Sequence, residues 1–231
     1  MLRYLKLFRN SFLRFIFGYD FYNHKDLESL HKISKIINQL NGYYPYTSSA
    51  LSPRLLEIVM NDIIINNRKK IVEIGSGIST IVISKLIKTN LIDCQFYSIE
   101  ENAAWMSVLK SHLEKEDLNK YCHLVNIPVK LKNNEYEFDE KIMSNFILNL
   151  GDIDMLIIDG PIAANKTKDI RRHILPRFIK SLGDKYSIYL DDTNRKSEIV
   201  TIKEWESKYG LKFLNFGTFS IYIKGQHYNI Y

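Results

Sequence analysis

Ile71-Val-Glu-Ile-Gly-Ser-Gly-Ile-Ser-Thr80 is the stretch whose reading decides the fold. Its first half is an apolar strand, its middle is Gly75-Ser76-Gly77, and its second half opens a helix. Glycine lets the backbone turn tightly and lets a ligand approach the main chain. The first turn of the following helix offers N–H groups without intrahelical partners. Strand, glycine turn and helix in that order make a unit that binds a nucleotide-like ligand. The dinucleotide fingerprint wants a third glycine where this chain has Thr80, and that departure weakens an NAD or FAD reading. Glu100, at the end of the next strand, is placed to hold ribose hydroxyls in either kind of site.

Outward from this turn the pattern alternates. Strands read at 71–74, 95–100, 123–127, 154–159 and 186–191, with helices at 79–88, 103–116, 165–182 and 197–209. The centre of the fourth strand, Met155-Leu-Ile-Ile158, is wholly apolar, as in a strand covered on both faces. Two final runs, 211–216 and 219–223, flank Gly217-Thr218, a hairpin signal. The pattern predicts an α/β fold with a Rossmann-like, doubly wound, seven-stranded sheet, mostly parallel with a C-terminal antiparallel β-hairpin. Upstream, Leu27, Leu30, Ile33, Ile36, Ile37 and Leu40 recur at helical spacing, with Asp26 able to cap the start. Residues 42–49 break regular structure, and Ser52-Pro53 restarts a helix that runs to about 65. The chain divides into a helical extension, 1–41, and a ligand-binding domain, 42–231.

Composition sets the outer limits. The 231 residues, 45% apolar and 25% charged, suit one globular domain that needs no disulfide or structural metal. Cys94 and Cys122 form no CxxC pair, which argues against a zinc or redox site and for free thiols in a reducing cytoplasm. A net charge of +6 suits an anionic partner, but the basic residues are scattered, as in a general lysine-rich bias. No apolar run is long enough to cross a bilayer. Residues 1–18 mix Leu and Phe with Arg3, Lys6, Arg9 and Arg14. As a helix they would have an apolar and a basic side, suited to an anionic membrane surface or to packing on the domain or a second subunit of a homo-oligomer.

Four motifs in order carry a family resemblance over roughly residues 42–225. Val72-Glu-Ile-Gly-Ser-Gly-Ile-Ser-Thr80 resembles the first motif of class I S-adenosylmethionine-dependent methyltransferases. Tyr97-Ser-Ile-Glu-Glu-Asn102 followed by Trp105, Met155-Leu-Ile-Ile-Asp-Gly-Pro161 and Ile188-Tyr-Leu-Asp-Asp-Thr193 resemble those after the second, fourth and fifth strands. Within the superfamily the sequence is similar to small bacterial methyltransferases and the catechol O-methyltransferase-like group. The resemblance implies S-adenosylmethionine as cofactor. It implies that Gly75 and Gly77, with Ser76, Ser79 and Thr80 of the same turn, lie against the methionine part and that Glu73 contacts its amino group directly or through water. Glu100 would accept from both ribose hydroxyls, and Asn126 and Ile127 would lie near the adenine.

Asp159, Asp191 and Asp192 fall at strand ends, where open α/β sheets hold their ligands. In the catechol O-methyltransferase-like group such acids hold Mg²⁺, which acidifies and orients a substrate hydroxyl. Gly160-Pro161 after the first acid, and Asp192 where asparagine is common, depart from that pattern. Without metal, Asp159 or Asp191 would be the catalytic base or position the acceptor; the acids could also simply cap the next helix. Tyr46, Thr47 and Ser49 are candidate lid residues, or part of an ordinary connector. Lys166, Arg171, Arg172 and His173 would meet an anionic acceptor, or form a solvated helix face. The leading expectation is O-methylation of a small molecule or glycan precursor. The alternatives are a nucleic-acid methyltransferase, against which stands the absence of an Asn-Pro-Pro-Tyr-like motif, and a non-catalytic nucleotide-binding scaffold.

Overall fold

The structure is a computed structural model that describes residues 21–47, 49–132, 135–161, 169–225 and 227–231. The basic segment 1–18 and Lys166 lie outside the described residues. In chain order the elements are α1 (Phe21–Ile37), α2 (Pro53–Ile65), β1 (Lys70–Ile74), α3 (Ile78–Thr89), β2 (Gln95–Glu100), α4 (Ala103–Lys115), β3 (His123–Asn126) and β4 (Val129–Lys132). Then come β5 (Glu135–Phe138), α5 (Glu140–Leu150), β6 (Ile153–Ile158), a 3-10 turn (Ile170–His173), α6 (Ile174–Phe178), a second 3-10 turn (Ile179–Ser181) and β7 (Leu182–Leu190). The chain ends with α7 (Lys196–Tyr209), β8 (Leu214–Asn215) and β9 (Ser220–Lys224).

The expected sheet is present, with seven strands in the order β3-β2-β1-β6-β7-β9-β8. The first five pair in parallel, while β9 pairs antiparallel with both β7 and β8. Side chains alternate between two cores, as the period of a strand requires. Ile71, Met155, Ile157 and Tyr189 point to the core covered by α1, α2, α3 and α4. Val72, Ile74, Leu156, Ile158, Ile188 and Leu190 point to the core covered by α5, α6 and α7. The chain leaves β1 toward β2 on one side and reaches β6 on the other, so the strand order reverses between β1 and β6. Ligands bind in the crevice at such a switch point, beyond the carboxyl ends of the strands.

Local expectations need four corrections. Asp26 does not cap α1, which begins at Phe21; its Oδ1 accepts from Arg54 N at 3.1 Å, in the first turn of α2. The long helix expected at 165–182 is, in its described part, two 3-10 turns around the five-residue α6. Pro176 lies in that stretch and has no N–H to continue a ladder. β7 begins at Leu182, earlier than expected, with Leu182 opposite Ile153. The unread stretch 129–150 holds a charged hairpin, β4–β5, with Lys130 opposite Glu137 and Lys132 opposite Glu135, followed by α5. Cys122 is buried and Cys94 half-buried, both as free thiols. Among the described residues no helix is long and apolar enough to cross a membrane.

At the far end of the sheet, a buried acid ties α2 to β7. Asp62 is fully buried and accepts from Arg68 Nε and Nη2 at 3.0 Å each, Ser187 Oγ at 2.6 Å, Tyr189 Oη at 2.7 Å and Asn66 Nδ2 at 2.7 Å. Removing one partner of such a pair strands the other charge without water. Asp62→Ala is expected to destabilise the protein by about 3–5 kcal/mol, read as a lower urea midpoint at unchanged slope.

Candidate active site

The site begins where β1 runs out. Gly75 has φ 94°, in the left-handed region that favours glycine. A Cβ on Gly75 would stand 2.5 Å from Gly160 N and 2.7 Å from Gly160 Cα, and a Cβ on Gly160 would stand 2.5 Å from Gly75 Cα. The two glycines therefore pack backbone against backbone. Asp159 N and Gly160 N both donate to Ile74 O, at 2.9 and 2.6 Å, which locks the end of β6 to the end of β1. Gly160 was legible only as a departure from the metal-binding pattern. Its structural role is this close approach.

Gly77 is of another kind. Its φ of −167° is extended and open to any residue, and a Cβ there would meet nothing within 4 Å. The absent side chain leaves room in a cavity of ≈ 300 Å³ at the switch point. Gly75, Ser76, Gly77, Ile78 and Ser79 form one wall, Glu100, Glu101, Asn102 and Trp105 another, and Asp159 and Gly160 a third. Pro45, Thr47, Ser49, Ala50 and Leu51 of the segment before α2 close the remaining side. Thr47 and Ser49 thus line the cavity. Tyr46 does not line it; its hydroxyl donates to Leu51 O at 2.8 Å and shapes the segment from behind. Burial, then the nearby Asp26, Asp191 and Asp159, push the Tyr46 phenol well up, so it stays protonated.

Glu73 is fully buried beneath the turn and is not on the cavity wall. It accepts from Ser79 Oγ at Oε1 and from Thr80 Oγ1 and Ser98 Oγ at Oε2, each at 2.6 Å. Acceptance by the carboxylate fixes the remaining donors. Ser98 Oγ, having donated, accepts from Ser76 Oγ at 2.7 Å, and Thr80 Oγ1 accepts from Gly77 N at 2.9 Å. Burial raises the Glu73 pKa, and the three hydroxyls oppose that rise. Thr80 is likewise a brace beneath the turn rather than a wall residue.

Glu100 does face the cavity. Its carboxylate accepts from Ser76 N at 3.2 Å and Asn102 N at 2.8 Å. Burial, then the neighbouring Glu101, push its pKa up to about 7. Trp105, one turn into α4, donates from Nε1 to Ser76 O at 2.9 Å and holds the outer face of the glycine turn. Asn102 caps α4 through Ala104 N and Trp105 N. Both residues stand in the second motif, but their roles were not legible there. Asn126 Nδ2 and Ile127 N both bond Glu100 O, at 2.8 and 3.0 Å, so these residues fix the acid's backbone and neither is on the cavity wall.

The three aspartates gather at the ends of β6 and β7. Asp159 is on the cavity wall; Asp191, 6% exposed, lies behind it and accepts from Ser52 N at the start of α2. Burial, then Asp191, hold the Asp159 pKa well above the ordinary carboxylate range against the opposing Arg171. Burial, then Asp192, raise Asp191 to about 6. Asp192 sits at φ 60° with Oδ2 3.0 Å from Arg171 Nη1 and 2.8 Å from Arg195 Nη1. Among the described residues no three acidic, histidine or cysteine side chains are grouped so as to hold a metal, and Arg171 stands among these acids. The expectation that Arg171 serves an exposed basic face is corrected by its burial; Arg172 and His173 remain partly exposed, near Glu204 and Glu135.

No protein-family model matches the sequence, and no curated protein matches it in sequence. Solved structures do match. An O-methyltransferase from Bacillus cereus, in complex with SAH, aligns over 94% of this chain and 96% of its own with a TM-score of 0.57 at 13% identity. SAH-bound PaMTH1 of Podospora anserina aligns over 87% and 88% with a TM-score of 0.58 at 13% identity. TomG of Streptomyces achromogenes, an O-methyltransferase involved in tomaymycin synthesis, aligns over 94% and 96% with a TM-score of 0.53 at 11% identity. The chain has the fold of the class I S-adenosylmethionine-dependent methyltransferases.

The two turn glycines should separate on mutation. Gly75→Ala is expected to lose about 2–4 kcal/mol, from left-handed strain plus the backbone collision. Gly77→Ala should stay within about 0.5 kcal/mol of wild type in urea unfolding, since the added methyl enters open space. Equal losses from the two variants would refute the distinction.

Proposed function

We propose that this chain is an S-adenosylmethionine-dependent methyltransferase acting on an oxygen of a small molecule or glycan precursor. One observation carries the proposal: the cavity joins an open glycine turn, a carboxylate one strand away and a buried aspartate on a single surface. The residues fit the cofactor. The space over Gly77 is a cradle that a side chain would fill, and Glu100 is an acceptor for paired ribose hydroxyls. That three structures of the same fold are described as complexes with SAH or SAM supports the same choice.

Bound there, S-adenosylmethionine supplies an activated methyl group. The work left to the chain is positioning and proton removal. Thr47 and Ser49 close the cavity from the side opposite the turn, which restricts water. Asp159 would take the proton of an acceptor hydroxyl held against it in the cavity. Burial and the neighbouring Asp191 raise its pKa, which makes the carboxylate a stronger base than an exposed aspartate. Asp191 lies behind it and holds negative charge close by.

Two measurements test the reading. Calorimetry should show S-adenosylhomocysteine bound at one site per chain; no heat together with no thermal shift would reject it. Glu100→Ala should weaken that binding by about tenfold or more, or about 1.4 kcal/mol. The pH dependence has a definite sign. Glu100 titrates at about 7 in the free protein, and ribose donors favour its ionised form. Affinity should therefore fall as pH drops below about 7, with proton release on binding near pH 6. The rise in Tm caused by S-adenosylhomocysteine should be larger at about pH 8 than at about pH 6.

A further inference from the structure

Arg171 is a base that the proposed reaction does not use, yet it is only 3% exposed. A buried guanidinium is costly unless its donors are matched. Here the matches come from the ends of β6 and β7 and the chain just beyond them. Nε donates to Pro161 O at 3.3 Å. Nη1 donates to Asp191 O at 3.5 Å and Asp192 Oδ2 at 3.0 Å. Nη2 donates to Asp159 O and lies 3.7 Å from Asp159 Oδ1. One planar cation thus reaches all three residues that a divalent metal would need, through two carboxylates and two carbonyls.

The geometry excludes sharing. Mg²⁺ requires oxygen lone pairs aimed at one point from about 2.0–2.1 Å in near-octahedral array. Asp192 Oδ2 is taken by Arg171 and Arg195. A second cation would have to enter beside a guanidinium that carries its charge at every accessible pH. We infer that Arg171 is the built-in cation of this acid cluster and stands in place of a divalent metal. Resting on the methyltransferase reading, the consequence is that the acceptor needs no chelating pair of oxygens. A metal centre selects vicinal hydroxyls because both can bind it. A fixed guanidinium with four N–H donors already engaged by the protein offers no such site, so a single hydroxyl beside Asp159 suffices.

The test uses Mn²⁺ as the probe on the full-length protein, without cofactor or acceptor. Electron paramagnetic resonance titration of the wild type should find no Mn²⁺ site tighter than about 1 mM, a weak limit for a carboxylate site. Neither Mn²⁺ nor EDTA should move its Tm by more than about 1 °C. Arg171→Ala frees the acids, so it should be destabilised and should regain part of its Tm in Mn²⁺. Arg171→Lys, which keeps the charge, should show no such rescue.

A stoichiometric wild-type Mn²⁺ site that disappears in Asp192→Asn would overturn the inference. A folded Arg171→Ala variant indifferent to Mn²⁺ would overturn it too. If that variant does not fold, the wild-type titration decides alone. S-adenosylhomocysteine calorimetry is read separately, so a failure of the methyltransferase reading would be recognised as such.

Discussion

The contact on which the rest depends is that of Gly75 with Gly160. β1 and β6 neighbour each other in the sheet, and Gly75, the first residue beyond β1, meets Gly160, the second beyond β6, without side chains. The close approach brings the glycine turn and Asp159 to one cavity. It also leaves Ile74 O accepting from two successive amides, Asp159 and Gly160, so the end of β6 is held by the backbone of β1. A Cβ at either position would separate the cradle from the acid. The spacing of the glycine turn and Asp159 is thus set by main-chain sterics, which no rotamer change can relax.

Charge is then arranged around that contact in layers. Directly beneath the turn, Glu73 has hydroxyl partners only, and these orient Ser76, Ser98 and Thr80 in a fixed donor order. Lateral to it, Glu100 accepts from two backbone amides and shares a side-chain hydrogen bond with Glu101, and its pKa rises to about 7. On the opposite side Asp159, Asp191 and Asp192 repel one another, and Arg171 offsets part of that repulsion. The cavity is therefore walled by acids whose burial raises their pKa values.

The fold was legible because its signals were redundant. Five apolar strands ended in polar or glycine residues and alternated with helical periods, and a two-residue turn preceded β9. The reading failed where one signal stood alone. Pro176 was passed over inside an apolar run, although a residue without an N–H cannot continue a helical ladder. The β4–β5 hairpin is written in charge, Lys130 with Glu137 and Lys132 with Glu135, while attention to apolar periodicity passes over it. At the site, the wall residues of the glycine turn, Glu100 and Asp159 could be named from motif position. The inward turn of Arg171 could not. A basic run reads as solvated until the tertiary fold shows acids waiting on the same side.

Two buried acids show how the structure distinguishes a joint from a site. Asp62, at the far end of the sheet, accepts from four side chains, one of them the guanidinium of Arg68. Its lone pairs are filled and its charge is matched, so nothing is left for a ligand to satisfy. Glu100 accepts from two backbone amides, one of them at 3.2 Å, and faces a cavity. Its side-chain partner is Glu101, an acid that adds charge of the same sign. Burial with complete pairing stiffens a fold. Burial with incomplete pairing beside open space holds an acceptor ready, and a ligand that brings two hydroxyl donors supplies what the protein has left out.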